Sequence, residues 1–457
     1  MNNLDCYRQT ISSDASLIDQ NDQSIMVDCS VTLPLLFGQP AEIRVGIPNE
    51  AMPIPNLRAP WQIKILQGPQ KIILEDVYYR SVTAATIQKR KLGATPVQLS
   101  HIKSLTMEMG LKSSDCRFLV YISDAEYFKT LHLEEEKNSI SKISTFSHPE
   151  LGDISLQQYS VESTLLNGSG SLKKNGYSLE IECFDPNKDH ESIIEDIQPL
   201  LDIMSLFSRQ RILILGWEKQ TKSEYVRHWK YPLDTIQTSY CLYEPQLFLV
   251  SHFEFENMVN TGLNNYYKLS TNEKQIVHKF SFNLCSALER RDDVKYMALF
   301  SALESYAKKS KPKIEDLDTT SSKAIELIED IAMEYKTANH PLFRKLKGLT
   351  NEIKRHSAAN SINDLLSKYN VLTTDLWAIK TKNGLLTIRN HLAHEGNHGV
   401  DHQGLAVATL HLSILIERLV LGVLKLKLET SVQQDLRREP WLDLEYANKL
   451  KGLIIQK

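Results

Sequence analysis

The chain of 457 residues is longer than a single hydrophobic core normally serves, so two or three domains are expected. With 42% hydrophobic and 24% charged residues it has the composition of an ordinary folded protein, and a net charge of −3 excludes both a strong polyanion binder and an acidic tail protein. The charge is unevenly shared: residues 1–255 hold 24 basic and 32 acidic side chains, whereas residues 256–457 hold 29 and 24. A mildly basic C-terminal part tolerates a phosphate backbone without demonstrating that it binds one.

The N-terminal segment MNNLDCYRQTISSD lacks the basic start and apolar stretch of a signal peptide. Cys6, Cys29, Cys116, Cys183, Cys241 and Cys285 are scattered without a CxxC pair, which argues against a zinc ribbon or a disulfide framework and suits a reducing cytoplasm. The first half reads as strands. Segments 27–36, 61–66, 71–79 and 117–122 are rich in β-branched and aromatic residues and alternate in part. Residues 154–183 predict a hairpin region, with turns supplied by Asn167, Gly168, Gly170, Asn175 and Gly176, and with Leu179, Ile181 and Cys183 on one face. A helix is expected over 190–208 and a strand over 211–217. The expectation for residues 1–255 is a β-rich, sandwich-like domain. RHWKY at 227–231 mixes cations with aromatics, the composition of a nucleic-acid or partner patch, and a strand with one exposed face is expected there. NGSGS at 167–171 is a turn: Lys173 stands where a dinucleotide fingerprint needs glycine.

After about residue 255 proline and glycine become scarce and the spacing turns helical. Helices are expected near 273–290, 293–308, 323–336, 341–356, 361–370, 374–395 and 403–428, giving an all-α domain over 256–457 and an α+β chain overall. The most apolar segment, 405–428, is interrupted by Glu417, Arg418, Lys425 and Lys427, so a bundle helix is expected there and no membrane span. His411, in that apolar run, reads as a core histidine.

The densest polar cluster is RNHLAHEGNH at 389–398. It follows the helical run LLTI and meets a helix stop at Gly396. RNA cleavage without a metal needs a base for the 2′-hydroxyl proton, a cation for the crowded phosphate and an acid for the leaving oxygen. Histidine titrates near neutrality, and the planar fork of arginine matches phosphate oxygens. Arg389 is the only arginine with a histidine five to seven positions after it, namely His394.

The RNHLAHE segment in a C-terminal helical domain resembles the HEPN superfamily and its Arg-x(4–6)-His motif. The helix KYMALFSALESYAKK, with Ala302, Leu303 and Glu304, is similar to the opening helices of the ApeA-like HEPN branch. A β-rich domain followed by such a bundle resembles the ApeA-type abortive-infection proteins, in the first half by architecture alone. The resemblance implies a metal-independent, cofactor-free endoribonuclease that acts on RNA, tRNA among the candidates, and leaves a 2′,3′-cyclic phosphate. It further implies a cytoplasmic, toxin-like role in anti-phage defence, a homodimer through the HEPN domain, and a phage-derived trigger at the N-terminal domain. On that resemblance Arg389 and His394 are the catalytic pair, Asn390 fills the motif's polar position, and Glu304 carries over as a further site residue, with a solvated or capping carboxylate as its plain alternative.

Two rival readings fit the same residues. One is a non-catalytic HEPN bundle that dimerises or binds nucleic acid, nucleotides or a partner. The other is a zinc peptidase, because His394, Glu395 and His398 match HExxH. That chemistry needs both histidines on one face of an unbroken helix, and Gly396, Asn397 and Gly399 interrupt it. No metal is therefore expected, although His391, His394, His398 and His402 are close enough in sequence to form a weak site.

Overall fold

The computed structural model describes residues 10–19, 21–33, 37–38, 41–48, 60–67, 70–82, 94–101, 103–110, 116–123, 128, 140–164, 171–181, 185–230, 248–287, 291–309, 319–336, 341–353, 357–395 and 401–427. The chain divides into two compact units, Met1–Lys268 and Leu269–Lys457.

The first unit is built on thirteen described strands: β1 (Thr10–Ile18), β2 (Ser24–Thr32), β3 (Glu42–Pro48), β4 (Trp61–Gln67), β5 (Gln70–Val82), β6 (Ala94–His101), β7 (Ser104–Gly110), β8 (Arg117–Ile122), β9 (Ile140–His148), β10 (Gly152–Thr164), β11 (Ser171–Ile181), β12 (Ile214–Gln220) and β13 (Glu224–Lys230). All pair antiparallel in one sheet, ordered β4-β1-β2-β3-β6-β5-β7-β13-β12-β8-β11-β10-β9, where a sandwich-like arrangement was expected. A further β4–β5 pairing closes six strands into a ring. The thirteen residues of β5 make this possible: Gln70–Glu75 pair with β7, and after a register shift Tyr78–Val82 pair with β6. Alternation fixes what faces inward. Ile11, Val31, Ile43, Val45, Ile63, Ile65, Ile72 and Leu74 are buried in one core with Met107 and Trp229.

The hairpin expected over 154–183 is present as β10–β11, with Ile154 opposite Ile181. Its turn chemistry differs from expectation. Asn175 and Gly176 lie inside β11, and Gly176 faces the ring of Tyr159, which a Cβ would meet at 2.4 Å. The glycine there makes room for an aromatic ring rather than bending the chain. Gly168 and Gly170 lie outside the described residues, as does Cys183.

Helix α1 (His190–Ser208) starts at Asp189, whose carboxylate accepts from the amides of Glu191 and Ser192. Helix α2 (Phe255–Tyr266) packs on α1 and on β9. Among the described strands β9 ends the sheet, so its outer edge has no described strand to pair with. Side chains of α2 supply acceptors: Thr145 N–H donates to Glu256 Oε2 at 3.1 Å and Ser147 N–H to Asn260 Oδ1 at 2.8 Å.

The second unit is helical: α3 (Thr271–Ala287), α4 (Asp292–Lys309), α5 (Thr319–Glu334), α6 (Pro341–Ile353), α7 (Ala358–Lys368), α8 (Leu385–Glu395) and α9 (His402–Val423). Helix α4 is its hub, packed on α3, α7, α8 and α9, and α9 packs on α3 and α4. Asp401 caps α9 by accepting from Gly404 N–H. Among the described residues it is the one helix long and apolar enough to cross a membrane, and it is buried within the protein. Its interrupting charge is satisfied inside: Arg418, 4% exposed at the side chain, donates to both oxygens of Asp375 at 2.6 and 2.8 Å and to the carbonyl of Leu372. His411 is fully buried, and its Nδ1 accepts from the backbone N–H of Trp377.

Candidate functional site

Residues 374–384, expected to be helical, are not. The segment is a strap that runs across α9 and ends at the start of α8. Trp377 is tied to His411 through its backbone and, through its indole N–H, to the carbonyl of Asn383 at 2.8 Å. The carbonyls of Ala378 and Ile379 then accept from the amides of Leu385 and Leu386, two donors of the first α8 turn that have no partner within the helix. Gly384 permits this reversal: a Cβ there would stand 2.7 Å from the Ile379 oxygen and 2.8 Å from that of Ala378. Helical periodicity in LWAIKTKNGLLTI concealed the break, because an apolar strap and an apolar helix bury similar residues.

Helix α8 buries Leu385, Ile388 and Leu392 along one stripe. It is held against α4 at two points. The hydroxyl of Tyr296, a fully buried side chain on α4, donates to the Leu385 carbonyl at 2.6 Å. One turn further along α8, Arg389 Nη2 donates to Glu304 Oε2 on α4 at 2.9 Å. Glu304 is mostly buried, with 12% of its side chain exposed, against 27% for Arg389. Its second oxygen lies 2.7 Å from the ammonium of Lys308, one turn along α4 and largely in solvent. Arg389 Nη1 donates to Asn390 Oδ1 at 3.1 Å. The guanidinium is thus held by one carboxylate and one amide, and Arg389 still reaches the surface.

Three of the four sequence-predicted residues are therefore joined by hydrogen bonds: Arg389, Asn390 and Glu304. His394 sits in the last turn of α8 and is exposed. Five residues along a helix correspond to about 7.5 Å of rise and about 140° of rotation, so Arg389 and His394 do not share a face of α8. The arrangement supplies an anchored cation for an anion and, further along the same helix, a solvent-accessible imidazole. Lys308 is the residue that sequence reading missed. Its signal was present as a Glu–Lys pair four apart in LESYAKK.

Helix α8 is described as far as Glu395; Gly396, Asn397, His398 and Gly399 lie outside the described residues. Among the described residues no group of three or more His, Cys, Asp or Glu side chains is placed to hold a metal ion.

The described part of the basic–aromatic segment, residues 227–230, is partly internal. Arg227 Nε lies 2.7 Å from the buried carboxylate of Glu218, its guanidinium stands over the rings of Phe37 and Trp229, and Trp229 is fully buried. Across the strand, His228 stacks on Trp217, which also meets His190, and burial holds the His228 pKa down to about 4.

Comparison with protein-family models, with curated proteins and with solved structures finds no match for the chain.

Proposed function

We propose that the helical unit is a metal-independent endoribonuclease of the HEPN type. The observation that carries the reading is the anchored guanidinium of Arg389, held by Glu304 and Asn390 and followed at the exposed end of the same helix by His394. In the proposed reaction the RNA 2′-oxygen attacks the adjacent phosphorus and the bond to the 5′-oxygen breaks. The 2′-hydroxyl proton passes to a base, and an acid returns a proton to the leaving 5′-oxygen. The products are a 2′,3′-cyclic phosphate and a 5′-hydroxyl. Arg389 stabilises the charge that grows on the phosphate, and His394 moves a proton. Glu304 and Asn390 position Arg389.

A single His394 supplies one titrating group, whereas in-line cleavage uses both a base and an acid. A homodimer through the helical unit supplies the second imidazole. The β-rich unit would then carry recognition, and the resemblance to abortive-infection proteins makes it the receiver of a phage-derived trigger in a cytoplasmic defence system. RNA cleavage by the purified full chain, assayed with Arg389→Ala and His394→Ala beside it, tests the reading.

One observation favours a second reading. Arg389 already has a carboxylate partner, as an arginine with a purely structural task would. On that reading the bundle is a non-catalytic dimerisation or binding module. Arg389→Ala would then lower stability, and neither variant would change any RNA.

A further inference from the structure

Residues 376–394 carry Lys380, Lys382, Arg389, His391 and His394 and not one aspartate or glutamate. They make up most of the strap and all of α8 but its last residue. Two carboxylates beside them are engaged: Asp375 with Arg418, and Glu304 with both Arg389 and Lys308. Lys380, Thr381 and Lys382 are exposed, and neither lysine makes an ion pair or hydrogen bond among the described residues.

The backbone that carries these lysines is fixed against α8. The Thr387 hydroxyl donates to the Thr381 carbonyl at 2.9 Å, and Gly384 N–H donates to the same carbonyl at 3.0 Å. Thr381 is thus seated on the side of α8 where Thr387 stands. His394 follows Thr387 by seven residues, about 10 Å along the axis and within about 20° of the same face. Asn390 and Ala393, both exposed, cover the helix surface between its Arg389 side and its His394 side. Helix α4 contributes at the far end. Tyr296 meets Leu385, and Glu304, two turns later, meets Arg389, so α4 runs alongside α8 in the same direction. Lys308 stands one turn further on, toward the His394 end, with 63% of its side chain exposed. Cations therefore flank Arg389 and His394 at both ends of α8.

We infer that Lys380 and Lys382 hold phosphates of a single-stranded RNA on one side of the cut, with the strand lying along the exposed face of α8 from the strap to His394. The inference rests on the ribonuclease reading for where the cut falls, and on the strap's own geometry for the contact. Ammonium groups are point charges on flexible stems, so they hold a phosphate backbone without reading its bases. The anchored strap supplies what the stems lack, a fixed starting point beside α8.

Fluorescence anisotropy of a labelled single-stranded oligoribonucleotide of mixed sequence tests it. The full chain carries His394→Ala so that the RNA stays intact, and binding is measured between about 50 and 200 mM salt. Adding Lys380→Gln with Lys382→Gln should weaken binding about tenfold or more at the lower salt. It should also make the plot of log affinity against log salt shallower by about 1.4, the loss of two phosphate contacts to a single strand. Lys380→Arg with Lys382→Arg should bind like the parent, because charge does the holding. Circular dichroism and melting temperature should be unchanged in both pairs, since the side chains are exposed. In a chain that keeps His394, the Gln pair should raise KM for cleavage more than it lowers kcat.

A Gln pair with the parent's affinity and salt slope overturns the inference. So does an Arg pair no tighter than the Gln pair, or a parent that binds no RNA at the lower salt. A Gln pair that binds normally in a chain that still cuts RNA removes the lysines and leaves the ribonuclease standing. Loss of binding in the Gln pair, where the wild type cuts nothing, leaves an RNA-holding face and removes the ribonuclease.

Discussion

Arg389 on α8 and Glu304 on α4, 85 residues apart in the chain, meet in a 2.9 Å ion pair that fixes where the guanidinium stands. The carboxylate is the more buried partner, so the pair is asymmetric. Removing Glu304 frees an arginine that can follow solvent, whereas removing Arg389 leaves a mostly buried carboxylate facing Lys308 alone.

Glu304→Gln should therefore fold, with a cost of about 1–2 kcal/mol, while RNA cleavage falls about 10- to 100-fold as the cation loses its fixed position. The fall should be in kcat more than in KM, because the residue orients Arg389 and need not touch substrate. Steady-state kinetics with a melting curve on the same preparation check both halves. An unchanged kcat would remove Glu304 from the site.

Arg389→Lys separates charge from geometry. Lysine keeps the cation but cannot bridge Glu304 and Asn390 with a planar fork. Cleavage should be lost nearly as fully as in Arg389→Ala, with stability close to that of the wild type. A lysine variant with at least half the wild-type rate would show that any positive charge suffices.

Much of the helical unit was legible because its signals are local. Six of its seven described helices begin within four residues and end within five of the expectation, since apolar spacing over ten or more residues reports a buried stripe directly. Arg389, His394 and Asn390 were visible as one short motif, and Glu304 came from resemblance to an opening helix. The strap at 374–384 was not legible. What makes it a strap is a set of long-range hydrogen bonds to His411 and to the first turn of α8, together with the close approach at Gly384. The β-rich unit was legible as strands but not as topology. Ring closure depends on β5 changing partners midway, from β7 to β6, and no residue in Gln70–Val82 announces a change of partner. Asn175 and Gly176 read as a turn by type, and only the ring of Tyr159 across the strand explains the glycine.

The strap should be the weak point of the site's support. Asp375→Ala removes the two-oxygen partner that the strap gives the buried Arg418, whose bond to the Leu372 carbonyl, just before the strap, remains. The cost should be roughly 3–5 kcal/mol, or a fall in melting temperature on the order of 10 °C. Differential scanning calorimetry checks this, and a shift under about 2 °C would mean that the ion pair does not hold the strap.

Acid should weaken the β-rich unit at a defined place. His228 is buried against Trp217, accepts or donates at Thr106 Oγ1, and lies near His190 and Lys230, which disfavour a further charge. Its pKa is about 4 in the fold, below the ordinary 6.5, so the folded chain binds fewer protons than the unfolded one between these values. Its contribution is fully present above about pH 6.5 and is lost as pH falls toward 4, amounting to about 3 kcal/mol below that. His228→Gln should flatten the stability profile between pH 6.5 and 4, measured by denaturant titration at several pH values. A variant with the same slope as the wild type would place the acid sensitivity elsewhere.

The central claim is that Arg389 and His394 cut RNA without a metal, and one measurement addresses it most directly. Total RNA is incubated with the full chain and with folded His394→Ala, in the presence of chelator and with extract of phage-infected cells as a source of trigger, and the new ends are mapped. The account predicts discrete cuts ending in 2′,3′-cyclic phosphate for the wild type and none above background for His394→Ala. Equal cutting by a folded His394→Ala protein, or no cutting by the wild type under any of these conditions, would contradict it.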